Sequence, residues 1–248
     1  MRAFSLLTWL LLGLSAAAQP AAWYRAVASV HQAPASSGSG TSIAYVQNAY
    51  TNNGSTSRAT AVCKFTNSVT SGDALVVFAY YNTASIGGVS ISSSPANTWV
   101  TNITVTNTSP GGILSSYYCL SANSGTTTIT LTFPVSESYN GAIAVEYSGV
   151  ASFDASARGA GTGGAAPATL STASATTTAN GDILCCSGVP ENGTLSVGSG
   201  YAARAGNTTI QYYEDQTQTT SSSSTVGTMS DNYSSDTYWL LMLVFKHK

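Results

Sequence analysis

Charge and histidine are nearly missing from this chain. Charged residues make up 7% of it, against roughly 25% in an average soluble domain. Its two histidines are His31, in a Pro/Ser/Gly stretch, and His247, beside the C-terminus. A serine nucleophile needs a base within hydrogen-bond reach, and no histidine falls in the presumed core. No G-x-S-x-G elbow occurs where a strand would meet a helix either, so triad chemistry is excluded. The net charge of −2 gives no basic footprint for nucleic acid and no polybasic patch for anionic lipid. Metal-ligand spacings such as C-x-x-C are absent, as is a D-x-[DN]-x-[DN]-G calcium loop. The expectation is therefore no metal and no cofactor.

Long apolar runs are also missing. Residues 4–14 (FSLLTWLLLGL) form one run, with Arg2 before it and Ala16, Ala17 and Ala18 after it. That is the pattern of a cleaved secretory leader over residues 1–18, too short for a spanning helix of ~20 residues. The run Trp239 to Phe245 is shorter still and reads as a buried strand, so no membrane span is expected in the mature chain. Export permits disulfides. Of Cys63, Cys119, Cys185 and Cys186, the pair Cys63–Cys119 is the candidate bridge, and the adjacent Cys185 and Cys186 should face opposite sides of a strand.

What is present is strand and turn. Residues 19–42, rich in Pro, Ser and Gly, read as a flexible lead-in. From residue 43 onward, runs rich in Val, Ile, Thr, Tyr and Phe alternate with Gly/Ser/Asn/Pro turns. Strands are expected at 43–49, 61–65, 74–81, 98–106, 113–120, 127–133 and 142–147. A Gly/Ala-rich connection at 158–168 follows, then strands at 174–178, 183–187, 194–197, 209–214, 219–228 and 238–246. Residues 69–77 and 177–186 echo one another, each a polar stretch, a Gly-Asp turn and an apolar strand. The glycine supplies positive φ and the aspartate stabilises the turn. These features predict an all-β fold over 43–248: one two-sheet antiparallel β-sandwich, jelly-roll-like, with two Greek-key halves sharing one core.

The segments TSGDALVV (70–77), NTW (97–99), YYCL (117–120), VEYSGV (145–150), GDIL (181–184) and WLLMLVFK (239–246) resemble those of secreted bacterial jelly-roll or lectin-like β-sandwich domains found in surface and extracellular proteins. The resemblance spans roughly residues 43–248. It implies a lectin-like sandwich and carries no catalytic residues with it.

Aromatic residues give the positive hint of function. Tyr80-Tyr81, Tyr117-Tyr118 and Tyr212-Tyr213 are doublets on expected strands, and alternation sends one ring of each outward. With Trp99, Tyr139, Tyr147 and Tyr201 they would make a sugar-stacking platform; cross-strand pairs that stabilise the sheet are the plain alternative. Trp99, Tyr118, Tyr147 and Tyr213 are the ring candidates. Glu146 joins them because Ala142 and Ala144 share its face and would leave room above it. The expected function is a secreted binding or surface-interaction module whose partner is a polysaccharide or cell-surface glycan. A glycoside hydrolase or lyase with a carboxylate pair drawn from Glu137, Glu146, Asp154, Glu214 and Asp215 is the alternative. A purely structural surface protein is the third reading.

Overall fold

Strand-forming runs in this chain are of two kinds. Ala74–Tyr81 (ALVVFAYY) and Thr237–His247 (TYWLLMLVFKH) are apolar at nearly every position, whereas Thr128–Glu137 begins with strict alternation. A strand apolar on both sides must be covered on both faces, and an alternating one on a single face. The computed structural model describes residues 41–83, 88–108 and 111–248 and meets both requirements. The leader over 1–18, His31 and nearly all of the lead-in over 19–42 lie outside the described residues.

The described residues form sixteen strands. They are β1 (Ala44–Asn52), β2 (Arg58–Lys64), β3 (Ala74–Tyr81), β4 (Ser90–Ser94), β5 (Val100–Thr108), β6 (Gly111–Cys119), β7 (Thr128–Glu137) and β8 (Gly141–Ser148), then β9 (Val150–Thr162), β10 (Ala168–Ser171), β11 (Asp182–Pro190), β12 (Leu195–Val197), β13 (Ala202–Asn207), β14 (Gln211–Gln218), β15 (Thr228–Asp231) and β16 (Thr237–His247). One five-stranded sheet has the order β1-β8-β3-β6-β5, with β2-β7-β4 as its companion. The second five-stranded sheet runs β9-β16-β11-β14-β13, with β10-β15-β12 beside it. Adding eight to each strand number of the first set reproduces the second. Each half is thus a complete eight-stranded jelly roll.

The fold is the antiparallel, jelly-roll-like β-sandwich that the sequence predicts, but the sandwich occurs twice. Three apolar layers hold it. Val76, Phe78 and Tyr80 of β3 meet Cys185 and Val189 of β11 and Leu241 and Leu243 of β16 between the two large sheets. Leu75, Val77 and Tyr81, on the other face of β3, pack on Cys63, Ile129 and Leu131 of the β2-β7-β4 sheet. Leu184, Cys186, Leu240 and Met242 pack on Leu170, Leu195 and Met229 of the last sheet. Each large apolar side chain so buried contributes about 1.5–3 kcal/mol of transfer free energy.

The turn glycines of the echo do what was expected of them. Gly72 (φ 84°) and Gly181 (φ 79°) both adopt left-handed backbone just before β3 and β11. Other expectations are corrected. The first five residues of the presumed connection at 158–168 are the end of β9, an edge strand of weak β-propensity ordered by its long ladder with β16. Strands at 174–178 and 219–228 shrink to one bridge between Ala175 and Thr225, with Thr228 opening β15. All four cysteines are free and buried, so Cys63 and Cys119 do not form the expected bridge. Cys63 lies under β8, its thiol donating to Ala142 O at 3.4 Å.

Candidate functional site

The ring platform is not assembled, because the large sheets have no solvent face. Tyr147 and Tyr213 are both fully buried between these sheets. Their hydroxyls lie 2.7 Å apart, and Tyr147 donates to Asp215 Oδ2 at 2.5 Å. Arg204 Nε donates to both Asp215 oxygens at 2.9 Å, and its guanidinium sits 4.6 Å from the centre of the Tyr45 ring. This network ties β13 and β14 of the second jelly roll to β1 and β8 of the first. Tyr118 stacks on Phe153 at 5.4 Å and meets Phe245 edge-on, so it is a core ring. Trp99 is half-buried against the outer core of the first half.

Glu146 is also a correction. It shares a face with Ala142 and Ala144 as expected, but the β2-β7-β4 sheet covers that face. Its carboxylate accepts the Gln47 amide at 2.6 Å and the Thr70 N–H at 2.9 Å, with no exposure to solvent. Of the other acid candidates, Glu214 is buried, with Gly198 N–H donating to it at 2.8 Å, and burial pushes its carboxyl up to about 8. Asp215 belongs to the tyrosine network, and Asp154 is paired with Lys246 at 3.1 Å. None of these acids stands with a second one across an open cleft.

An open cleft of about 490 Å³ lies where the two jelly rolls meet at the C-terminal ends of β3 and β11. Tyr80 and Asn82 come from the end of β3, and Tyr139 from the β7–β8 connection. Val189 and Pro190 end β11 and Glu191 follows it, Thr209 and Ile210 form the β13–β14 turn, and Trp239 lies near the start of β16. Its volume falls in the range of small-ligand pockets. The floor is rigid. Tyr80 and Trp239 have ring centres 5.7 Å apart, and Trp239 Nε1 donates to Gly112 O at 2.9 Å. A side chain at Gly112 would stand 2.7 Å from the indole, so only glycine allows this close approach. Burial and the charge of Glu191 both raise the Tyr80 phenol, which stays a neutral donor and acceptor.

The walls are held by their own backbones. Tyr139 is 46% exposed and sits at φ 62°, a left-handed conformation that disfavours a bulky side chain. Its N–H donates to Gly54 O at 2.6 Å, which fixes it there. Such retained strain clusters at ligand-binding positions. Glu191 N–H donates to Thr237 O at 2.9 Å, and the Asp236 carboxylate accepts the next two amides, of Asn192 and Gly193. Thr209 is pinned by Asn207 Oδ1, which accepts its N–H at 2.9 Å and its hydroxyl at 2.7 Å. Rings, an amide, a hydroxyl and a carboxylate thus converge without loop ordering at the moment of binding.

Tyr80 and Tyr139 were among the rings the sequence singled out; Asn82, Glu191, Thr209 and Trp239 were not. The echo held the missing signal. Continued past the Gly-Asp turns, it places Tyr80-Tyr81-Asn82 in register with Val189-Pro190-Glu191, the two strand ends that form the cleft. Among the described residues, no group of three or more His, Cys, Asp or Glu could hold a metal ion, and no helix is long and apolar enough to cross a membrane. No family model, curated protein or solved structure matches this chain, so the site is read from its geometry.

Proposed function

We propose that this chain is a secreted, non-catalytic glycan-binding module that holds sugar in the cleft between its two jelly rolls. The carrying observation is the exposed Tyr139 ring, held in a strained conformation in the cleft that Tyr80, Trp239, Asn82, Glu191 and Thr209 also line. A phenol ring with a polar tip suits the mixed apolar and hydroxylated face of a pyranose. Glu191 is the one acidic side chain among the lining residues and no basic one joins it, so the cleft favours neutral or amino-bearing sugars over uronic acids. A glycosidase needs two carboxyls flanking the scissile bond, and the cleft offers one.

The test is retention of the full chain on cellulose, chitosan and pectate, with Tyr139→Gly as the probe. Glycine relieves the positive φ, so stability should hold while retention on the neutral or amino polymer falls at least tenfold. Equal retention by wild type and Tyr139→Gly, or none across the panel, would reject the cleft as the site. Reducing sugar released by wild type and abolished in Glu191→Gln would replace binding with hydrolysis.

A further inference from the structure

Six of the chain's ten acidic residues are buried side by side in three pairs. At the opposite end of β3 and β11 from the cleft, Asp73 stands against Glu146, and Asp182 against Asp154. Between β15 and β16, Asp231 stands against Asp236. In each pair one carboxylate is well supplied with donors. Glu146 accepts Thr70 N–H and the Gln47 amide. Asp154 accepts the Thr178 N–H at 2.7 Å, the Thr178 hydroxyl at 2.6 Å and Lys246 at 3.1 Å. Asp236 accepts Asn192 and Gly193 N–H. The partner is poorly supplied. Asp182 has no exposure, and neither of its oxygens has a donor at hydrogen-bond distance, the Ala179 N–H giving it only weak support; Asp231 accepts the Thr194 and Tyr233 N–H groups on Oδ1, at 3.2 and 3.1 Å, but its Oδ2 has no donor.

We propose that the three pairs are proton-holding sites, each a carboxylic acid donating to a carboxylate, and that they make this a fold stabilised by acid and loosened as its surroundings turn neutral. Two carboxylates in contact and out of water cannot both ionise. A shared proton supplies the hydrogen bond that Asp182 lacks. The two halves reach this arrangement by different routes. Asp73 and Asp182 occupy equivalent places in the repeat, yet the partner comes from β8 in one half and from β9 in the other, where Asp154 fills the bulge between Phe153 and Ala155. Pairing is retained while the residue that provides it moves, which simple duplication of a turn would not give.

The cations at this end moderate the pairs without replacing the proton. Lys248 faces Asp73, Lys246 faces Asp154 and Asp182, and His247 lies beside Gly181. Burial, then the neighbouring Glu146, pushes Asp73 up to about 6; burial, then Asp154, does the same to Asp182. Asp231 is raised by burial and by Asp236 despite the N–H groups of Tyr233 and Thr194. For Asp154, burial acts upward but the Thr178 and Lys246 contacts and the Asp182 proton outweigh it and hold the carboxyl low. Groups raised in the folded state keep protons that the unfolded chain has released. The stability that Asp73 and Asp182 contribute is therefore full below about pH 4 and lost as pH rises through about 6, and Asp231 acts in the same direction. Asp154 acts oppositely and is lost only in stronger acid, so the optimum falls near pH 4 to 5.

The test is thermal unfolding of the full chain at pH 4.5 and 7.5, at equal ionic strength. The midpoint should be higher at pH 4.5 by roughly 5–10 °C. Asp73→Asn and Asp182→Asn place a permanent N–H donor where the acid proton stands, so each should raise the midpoint at pH 7.5 and narrow the gap. A wild type at least as stable at pH 7.5, or Asn variants that lose as much stability at pH 7.5 as at pH 4.5, would overturn the proposal. Carboxyl carbon-13 titration of the wild type tests it without mutation, since two aspartates should titrate near pH 6. Finding all aspartates ionised by pH 5 would overturn it, as would millimolar calcium restoring the acid midpoint at pH 7.5.

Discussion

Replacing Tyr147 by Phe removes one oxygen from the seam between the jelly rolls and separates a structural role from a sugar-binding one. The hydroxyl is fully buried, donates to Asp215 at 2.5 Å and lies 2.7 Å from the Tyr213 hydroxyl. Asp215 keeps Arg204 Nε on both oxygens at 2.9 Å, so no buried charge is left unpaired. The loss is then that of two hydrogen bonds, about 1.5–3 kcal/mol for the one to the Asp215 carboxylate and about 0.5–1.5 kcal/mol for the one to the Tyr213 hydroxyl. At roughly 2–4 °C per kcal/mol for a chain of this size, the unfolding midpoint should fall by roughly 4–18 °C. Circular dichroism melts of wild type and variant at one pH measure it, with polysaccharide retention assayed at a temperature where both are folded. Retention should be unchanged, because the ring never reaches solvent. An unchanged melt with lost retention would refute the buried network and restore Tyr147 as a ligand-contacting ring.

Further outcomes follow from the same geometry. Gly112→Ala places a methyl 2.7 Å from the Trp239 ring and 3.1 Å from the Tyr80 hydroxyl, so it should cost about 1–3 kcal/mol by overpacking and weaken glycan retention by tilting the cleft floor. A denaturant melt with an unchanged midpoint would contradict that. Glu214→Gln removes a carboxyl held up at about 8. Ionisation of the acid favours the unfolded chain between about pH 4.5 and 8, so the variant should match wild type near pH 4.5 and melt higher at pH 8. A lower melt at pH 8 would show that Glu214 is ionised and needed as such.

The sequence by itself determined the strands that dominate the core. Val, Leu, Ile and Tyr at consecutive positions of β3, β11 and β16 satisfy no helix stripe, so these runs read correctly as strands, and residues 239–245 as a buried one. The Gly-Asp turns were legible for an equally local reason, the positive φ of Gly72 and Gly181. Weak strands were not. Residues 150–162 and 202–207 carry alanine, glycine and charge, and they are strands only because β16 and β14 offer them backbone partners.

The site was decided by tertiary structure alone. Alternation correctly sent Tyr117 and Tyr118, or Glu146 and Tyr147, to opposite faces. It could not tell that both faces of a large sheet would be covered, one by the companion sheet and the other by the second jelly roll. Covering turned the outward rings into core, closed the room above Glu146 and left the thiols of Cys63 and Cys119 apart. The same packing drew Tyr80, Tyr139, Glu191 and Trp239 together from strand ends far apart in the chain. Side-chain direction is a property of the local backbone, whereas exposure is a property of whatever packs against it.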